Sequence, residues 1–170
     1  MLIDTTKIRH LSGQTISFSL QGNLETIVIG GEVLPLDGPV EVKGEIHNTG
    51  RTYLVKGTIT ARFQRVCGRC LKNFTAAVET ELEVEYCHAS EVREEDRERE
   101  EFEVFEGNSI DLTERVTESL YLAIPMKALC SEDCQGMCPQ CGQDLNLGKC
   151  GCETDKVDPR MKVLEKLLKS

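Results

Sequence analysis

The spacing of the cysteines constrains this chain more than any other feature of its sequence. Eight of the nine cysteines fall in four close pairs, which are Cys67/Cys70, Cys130/Cys134, Cys138/Cys141 and Cys150/Cys152. Short-spaced pairs are typical of tetrahedral thiolate sites, in which two ligands from one tight turn meet two from another. The segment from Ser131 to Cys152 is poor in apolar residues. Metal ligation, which can drive the folding of such a segment, is therefore its predicted source of stability.

Four pairs predict two four-coordinate zinc sites. The first would be local to the tail, and its ligands would be Cys138, Cys141, Cys150 and Cys152. The second would join the tail to an earlier hairpin, and its ligands would be Cys67, Cys70, Cys130 and Cys134. A rival assignment uses four of the six tail cysteines for one zinc and leaves Cys67 and Cys70 as free thiols. In either case we expect structural zinc, because no Glu or His stands where an open, water-bearing site would need one.

The pair Cys67-Gly-Arg-Cys70 also admits a different chemistry. Its flanking arginines, Arg65 and Arg69, would lower a thiol pKa, as in thiol-disulfide oxidoreductases. That motif normally opens a helix after a strand, whereas here it joins two predicted strands. A thiol-redox or metal-sensing role for Cys67 and Cys70 is therefore the alternative hypothesis. Iron–sulfur ligation is less favoured, since its familiar motifs use other spacings.

Charge is distributed unevenly along the chain, whose net charge is −9. Residues 91–106 carry nine acids and three arginines, whereas residues 46–78 carry six basic side chains and no acid. Such a basic stretch can meet phosphate or an acidic protein surface. The candidate contact residues for RNA or protein are Arg62, Arg65, Arg69 and Lys72. Mutual neutralisation of the two stretches, or simple solvation of both, is the competing interpretation.

Alternation of apolar and polar residues predicts a β-rich first half. The predicted strands are 14–20, 25–33, 40–46, 53–63 and 74–86. The last two form the clearest pair, since each places its apolar residues on one face and the short connection between them favours an antiparallel hairpin. A helix is predicted over 111–124, with Asp111 and Glu114 as a capping box and Pro125 as its stop.

The predicted fold class is α+β: a mainly antiparallel β-sheet or partly closed barrel, a packed helix, a cysteine-rich zinc-type tail and a C-terminal helix. We expect the sheet to have about five to seven strands, because the alternating segments and turn signals occupy the first 105 residues. The predicted organisation is a β domain with the Cys-x-x-Cys hairpin (1–90), an acidic loop or linker (91–106), a helix on the sheet (107–129), a zinc-binding segment (130–157) and a terminal helix (158–170).

Several functional classes are disfavoured by what the sequence lacks. No apolar run approaches the roughly 18–20 residues of a membrane span, and the first residues do not read as a signal peptide. We therefore expect a cytoplasmic protein, in which disulfides would be reduced. The sequence carries no P-loop, Rossmann fingerprint, nucleophile elbow or His-Glu-x-x-His motif, so we expect no enzyme.

The motifs as a set resemble those of a known family. They are Val66-Cys-Gly-Arg-Cys-Leu71 with Phe74, a helix ending at Pro125, the segment Leu129–Asn146, and Asp158-Pro-Arg160 with its following leucines. This combination resembles the YceD family, the large ribosomal RNA subunit accumulation proteins. The resemblance implies a role in the accumulation of large-subunit rRNA and names no catalytic residue. Because family members vary in the tail cysteines, it supports the ribosomal role more than any particular metal set.

The resulting hypothesis is a non-enzymatic factor in ribosome large-subunit biogenesis that binds large-subunit rRNA or a large-subunit ribosomal protein. Zinc would hold the tail as a rigid recognition surface beside the basic hairpin. The acidic stretch would discourage non-specific RNA binding or would itself capture a basic ribosomal protein. A DNA-binding zinc module is a weaker hypothesis, because the predicted last helix offers few clustered basic residues.

Overall fold

A computed structural model of the chain describes residues 1–24, 27–29, 32–93 and 102–152. These residues divide into two compact units. The first comprises Met1–Arg65 and Phe74–Met126, and the second comprises Val66–Asn73 and the chain from Lys127 onward. The predicted terminal helix over 158–170 lies outside the described residues.

Strands account for most of the first unit. In chain order they are β1 (Leu2–Asp4), β2 (Thr15–Gly22), β3 (Ile27–Ile29), β4 (Glu32–Leu34), β5 (Val40–Asn48), β6 (Thr52–Val66), β7 (Asn73–His88), β8 (Glu103–Phe105) and β9 (Ser109–Asp111). A 3-10 turn follows β7 at Ala89–Glu91, and the helix α1 spans Thr113–Ala123. The main sheet has the order β2-β5-β6-β7-β8, and the pairs β1-β9 and β3-β4 form two small sheets.

The long hairpin of β6 and β7 shows why alternation was a reliable predictor. On β6 the odd-numbered apolar residues are buried, whereas Leu54, on the opposite face, is half-buried. The buried set is Tyr53, Val55, Ile59, Ala61 and Phe63. On the inward face of β7 the buried apolar residues are Val78, Leu82 and Tyr86. Glu79, Glu81 and Glu83 lie exposed on the opposite face, on which only Cys87, near the end of the strand, is buried. Because successive side chains point to opposite faces of a strand, this pattern buries one face of the sheet and leaves the other to water.

Helix α1 contributes an apolar stripe to the same core. Leu112, Val116, Leu120 and Ile124 are buried, as their spacing of four residues predicted. The helix begins at Thr113, two residues later than predicted, and Asp111 Oδ1 accepts a hydrogen bond of 2.9 Å from the Thr113 amide. No helix in the described part of the chain is long and apolar enough to cross a membrane.

Two expectations about the sheet are corrected by the structure. Glu103–Phe105, which we had placed in an acidic loop, forms the edge strand β8 and pairs in parallel with β7, so the sheet is mixed. The reason is Phe105, whose buried ring packs edge-on against Tyr53 and Tyr86. Among the described strands, β2 and β8 stand at opposite ends of the order and do not pair, so the barrel alternative is wrong.

A pair of glycines allows the central strands to approach closely. Gly44 of β5 and Gly57 of β6 lie directly opposite each other in the antiparallel register. A Cβ added to Gly44 would stand 2.1 Å from the Lys56 carbonyl oxygen and 2.6 Å from the Gly57 Cα. Both neighbours are backbone atoms, so the strands would have to move.

We expect Gly44→Ala to destabilise the protein by about 1–3 kcal/mol, the usual cost of forcing atoms into a packed site. Urea unfolding followed by circular dichroism measures this change. The control is Ser19→Ala on the exposed face of β2, which should stay within about 0.5 kcal/mol of wild type. A Gly44→Ala protein as stable as wild type would show that the clash is relieved without cost.

Candidate metal centres

The eight paired cysteines come together in two groups of four, both in the second unit. Centre 1 consists of Cys67, Cys70, Cys130 and Cys134, and centre 2 consists of Cys138, Cys141, Cys150 and Cys152. Within each group the sulfur atoms all lie within 4.8 Å of one another. This is the grouping of the economical assignment, in which the hairpin pair joins the first pair of the tail.

One Cys-x-x-Cys pair in each centre is held by the same backbone turn. In centre 1 the Cys67 amide donates to the Lys72 carbonyl, and the Leu71 amide donates back to the Cys67 carbonyl. In centre 2 Cys138 forms the equivalent bonds with Gln143 and Gly142. The residue after the second cysteine is left-handed in both turns, with φ of 58° at Leu71 and 74° at Gly142. The two turns are therefore equivalent knuckles, although one places a leucine where glycine is favoured.

The spacing of the sulfurs in centre 1 fits a bound metal ion better than a disulfide. Cys67 Sγ lies 3.8 Å from Cys134 Sγ, and Cys70 Sγ lies 3.6 Å from Cys130 Sγ. A tetrahedral site with metal–sulfur bonds of about 2.3 Å has sulfur–sulfur edges of about 3.8 Å. A disulfide requires about 2.05 Å, and all the cysteines are free thiols.

The thiols of each centre differ in how easily they ionise. The backbone amides of Cys70 and Cys130 lower the pKa of Cys67 to about 6, and the amides of Cys141 and Gln140 lower that of Cys138 to about 6.

Their neighbours shift in the opposite direction. The Cys70 side chain, followed by burial, raises the pKa of Cys130 to about 12. The Cys141 side chain, followed by burial, raises that of Cys152 to about 12. Thiolates held this close repel one another, and a cation among them would offset that repulsion.

The two centres also differ in exposure. Cys67, Cys70 and Cys134 of centre 1 are buried, whereas in centre 2 only Cys138 is buried and Cys141 is exposed. Burial beside two further thiols favours ligation by Cys67 and Cys70 over thiol exchange with an external partner, because exchange requires an accessible sulfur.

Arg69 ties the two halves of centre 1 together. Its amide donates to Cys67 Sγ at 3.5 Å, and its guanidinium donates to the carbonyl oxygens of Glu132 and Cys134 at 3.1 and 2.8 Å. The Arg69 carbonyl in turn accepts from the Met137 amide at 3.1 Å. The sequence predicted this arginine as an RNA or protein contact and, in the redox alternative, as a residue that lowers a thiol pKa, but not as a support of a metal centre.

Asn146 connects the two centres and was not predicted as a site residue. It lies between the ligands Cys141 and Cys150 of centre 2, but its side-chain amide donates to Cys134 Sγ of centre 1 at 3.5 Å. Its Oδ1 accepts from the Gln135 amide at 2.8 Å. The only sequence signal was the turn-forming Asp144, whose carboxylate accepts from the Asn146 amide and side chain.

The four predicted basic contact residues have different surroundings. Arg62 in the first unit and Lys72 in the second are exposed. Arg65 is buried, at 8% exposure, and its guanidinium donates to the Pro125 carbonyl at 3.3 Å. Arg65 is therefore unsuited to contacting a partner, because its position on the inward face of β6 directs it into the protein.

The fold and the two centres define a mainly β protein with two four-cysteine groups that could each hold a metal ion. The family model of the large ribosomal RNA subunit accumulation protein YceD matches residues 55–168, which include both centres. The chain belongs to the YceD family.

Relatives of this chain occur in several bacteria and in a plant. Uncharacterized proteins of Mycobacterium tuberculosis and Mycobacterium bovis are each 32% identical to it over 99% of this chain and 81% of their own. YlbN of Bacillus subtilis, also uncharacterized, is 31% identical over 77% of this chain and 75% of that protein. The chloroplastic large ribosomal RNA subunit accumulation protein YCED homolog 1 of Arabidopsis thaliana is 36% identical over 31% of this chain and 16% of that protein. No solved structure matches the chain.

Replacing one ligand should remove one metal ion and spare the other. We expect wild type to carry two zinc ions and Cys67→Ser to carry one, because centre 2 draws no ligand from the hairpin. Native mass spectrometry of the full chain, with and without a chelator, counts the bound ions. Cys87→Ser is the matched control, since Cys87 is buried but belongs to neither centre, and it should keep both ions. Loss of both ions from Cys67→Ser would contradict this independence of ligands.

Removing the Asn146 side chain should weaken metal binding at centre 1. Loss of an outer hydrogen bond to a ligand typically lowers metal affinity by about 10–100-fold. Cobalt(II) titration followed by its thiolate absorption, in competition with zinc, measures this for Asn146→Ala. Asn146→Asp should be weaker still, because a carboxylate cannot donate to sulfur and adds negative charge. The control is Gln143→Ala in the same loop, whose amide reaches only the Gly148 carbonyl. Equal affinities for Asn146→Ala and this control would refute the role.

Proposed function

We propose that this protein is a non-enzymatic factor in ribosome large-subunit biogenesis that supports the accumulation of large-subunit rRNA in the cytoplasm. The observation that carries the proposal is membership of the YceD family over residues 55–168. The name of the Arabidopsis relative points the same way. The factor would act by binding large-subunit rRNA or a large-subunit ribosomal protein.

Zinc is the metal that best suits the two centres. Four thiolates at tetrahedral spacing are typical of structural zinc, which needs no open coordination position. Centre 1 would be held by Cys67, Cys70, Cys130 and Cys134, and centre 2 by Cys138, Cys141, Cys150 and Cys152. In this role the metal would stabilise the second unit as a binding surface. Closed coordination by four thiolates also supports a binding protein over an enzyme, because a catalytic zinc keeps a position for water or substrate.

Fewer of the predicted basic residues are available for contact with a partner than the sequence indicated. Arg65 and Arg69 donate to backbone carbonyls, so Arg62 and Lys72 are the members of the predicted set that can meet a partner through their charged groups. They would contact rRNA phosphates or acidic side chains of a ribosomal protein. Their replacement also leaves both centres and their supporting hydrogen bonds intact.

The test is complementation of a depleted strain together with cross-linking. We expect depletion to lower mature large-subunit rRNA relative to small-subunit rRNA, and the wild-type gene to restore it. Arg62→Glu/Lys72→Glu should restore it poorly and recover less cross-linked partner. The charge-matched control is Lys7→Glu/Lys149→Glu, which changes two other exposed lysines. Unchanged rRNA on depletion would refute the function, and equal recovery by both double variants would refute the contact surface.

Salt dependence and nuclease sensitivity separate the two kinds of partner. If Arg62 and Lys72 meet phosphates, each lost contact should lower the salt slope of binding by about 1. Recovery of the partner should then fall after nuclease treatment. A complex with a ribosomal protein alone would survive the nuclease.

A further inference from the structure

Strand β7 has a long backbone edge in the first unit that is unpaired by the described part of the chain. One side of β7 pairs with β6, and on the other side β8 pairs only with Tyr86–His88. Over residues 74–85 that second side has no partner among the described residues. An edge of this kind exposes a row of backbone N–H and C=O groups that can pair with an added strand.

The two faces beside this edge differ in chemistry. On the outer face, Glu79, Glu81 and Glu83 follow one another at every second residue, and all are exposed. Glu83 pairs with Lys56 at 2.7 Å, whereas Glu79 and Glu81 have no ion pair within the described part of the chain. On the inner face, Val84 is half-buried and packs at the margin of the core. An added strand would therefore meet carboxylates on one side and apolar surface on the other.

The glutamates restrict which strand can join this edge. Two copies of β7 paired edge to edge would bring like charges together, and so would the phosphates of an RNA beside the strand. A strand that places Lys or Arg opposite the glutamates would be attracted, since opposite charges across neighbouring strands stabilise the pairing. Its alternate residues would have to be apolar to cover the inner face.

We propose that residues 74–85 of β7 are a docking edge for an extended segment of a basic protein, in which Lys or Arg alternates with apolar residues. The segment adds a strand to the sheet through backbone hydrogen bonds and places its basic side chains beside Glu79, Glu81 and Glu83. This inference rests on the proposed function and deepens it, because it names the protein partner's chemistry. The same glutamates repel RNA phosphates from this edge and attract a basic strand to it.

The test uses the full chain and a fluorescent twelve-residue peptide in which Lys alternates with Val. We expect saturable binding by anisotropy, and slower hydrogen exchange of the β7 amides when the peptide is bound. Glu79→Lys/Glu81→Lys should weaken binding by about tenfold or more, given two lost attractions and two new repulsions. The charge-matched control, Glu106→Lys/Glu114→Lys, changes two other exposed acids of the first unit and should bind as wild type does.

Two further peptides distinguish strand addition from simple charge attraction. Each carries N-methyl groups on alternate residues. In one peptide the methylated amides lie along one edge of the strand, and in the other they lie along the opposite edge. One set should abolish binding and the other should not, because an added strand uses only one of its edges to pair. Equal binding of both methylated peptides, or of wild type and Glu79→Lys/Glu81→Lys, would overturn the proposal, as would no binding to the intact chain.

Failure here is distinguishable from failure of the proposed function. Complementation by Glu79→Lys/Glu81→Lys reports on rRNA accumulation without any peptide. Full restoration of large-subunit rRNA by a variant that has lost peptide binding would overturn the edge as the partner site while leaving the function standing. The expected result is that Glu79→Lys/Glu81→Lys loses both peptide binding and complementation, while Glu106→Lys/Glu114→Lys keeps both.

Discussion

The meeting of four thiols from distant parts of the chain is the constraint on which the second unit depends. Cys67 and Cys134 are 67 residues apart in sequence, and Cys70 and Cys130 are 60 apart, yet their sulfurs lie within 4 Å. Among the described residues of this unit, every buried apolar residue is a cysteine. The described part of this unit has no buried aliphatic side chain to stabilise it. Metal ligation, at about 10–16 kcal/mol per structural zinc, is large enough to do so.

The two units are therefore stabilised by different physical means. The first has a continuous apolar core that joins the sheet to the stripe of α1. The second relies on hydrogen bonds around the sulfurs, above all those of Arg69 and Asn146. Apolar burial is non-directional and tolerates small shifts, whereas thiolate ligation requires fixed positions. The knuckle turns and the two bridging side chains supply that fixed geometry.

Sequence patterns were informative where they repeat and uninformative where they do not. Alternation on β5, β6 and β7 and the cysteine spacing identified the main hairpin and the grouping of thiols. Strands β1, β8 and β9 have three residues each, which is too short for any period. Their pairing depends on distant partners, as when Ile3 lies opposite Ile110.

The burial of Arg65 could have been predicted from the alternation along β6. This arginine continues the odd-numbered inward positions of β6, so the alternation that predicted burial of Phe63 also predicted burial of Arg65. The roles of Arg69 and Asn146 had no such signal, because they follow from which carbonyls and sulfurs meet in space.

The contacts of these arginines change the interpretation of the acid-free stretch, residues 46–78. Its positive charge suggested an RNA-binding surface, but Arg65 and Arg69 donate hydrogen bonds to backbone carbonyls, and Lys56 pairs with Glu83. Exposed ion pairs are weak, so Lys56 is only partly withdrawn from other contacts. Arg62 and Lys72 remain as individual exposed cations in a chain of net charge −9. The first unit also presents a row of glutamates on β7, beside a strand edge that has no partner among the described residues. For the docking edge proposed at β7, these charges favour a basic protein segment over rRNA phosphate.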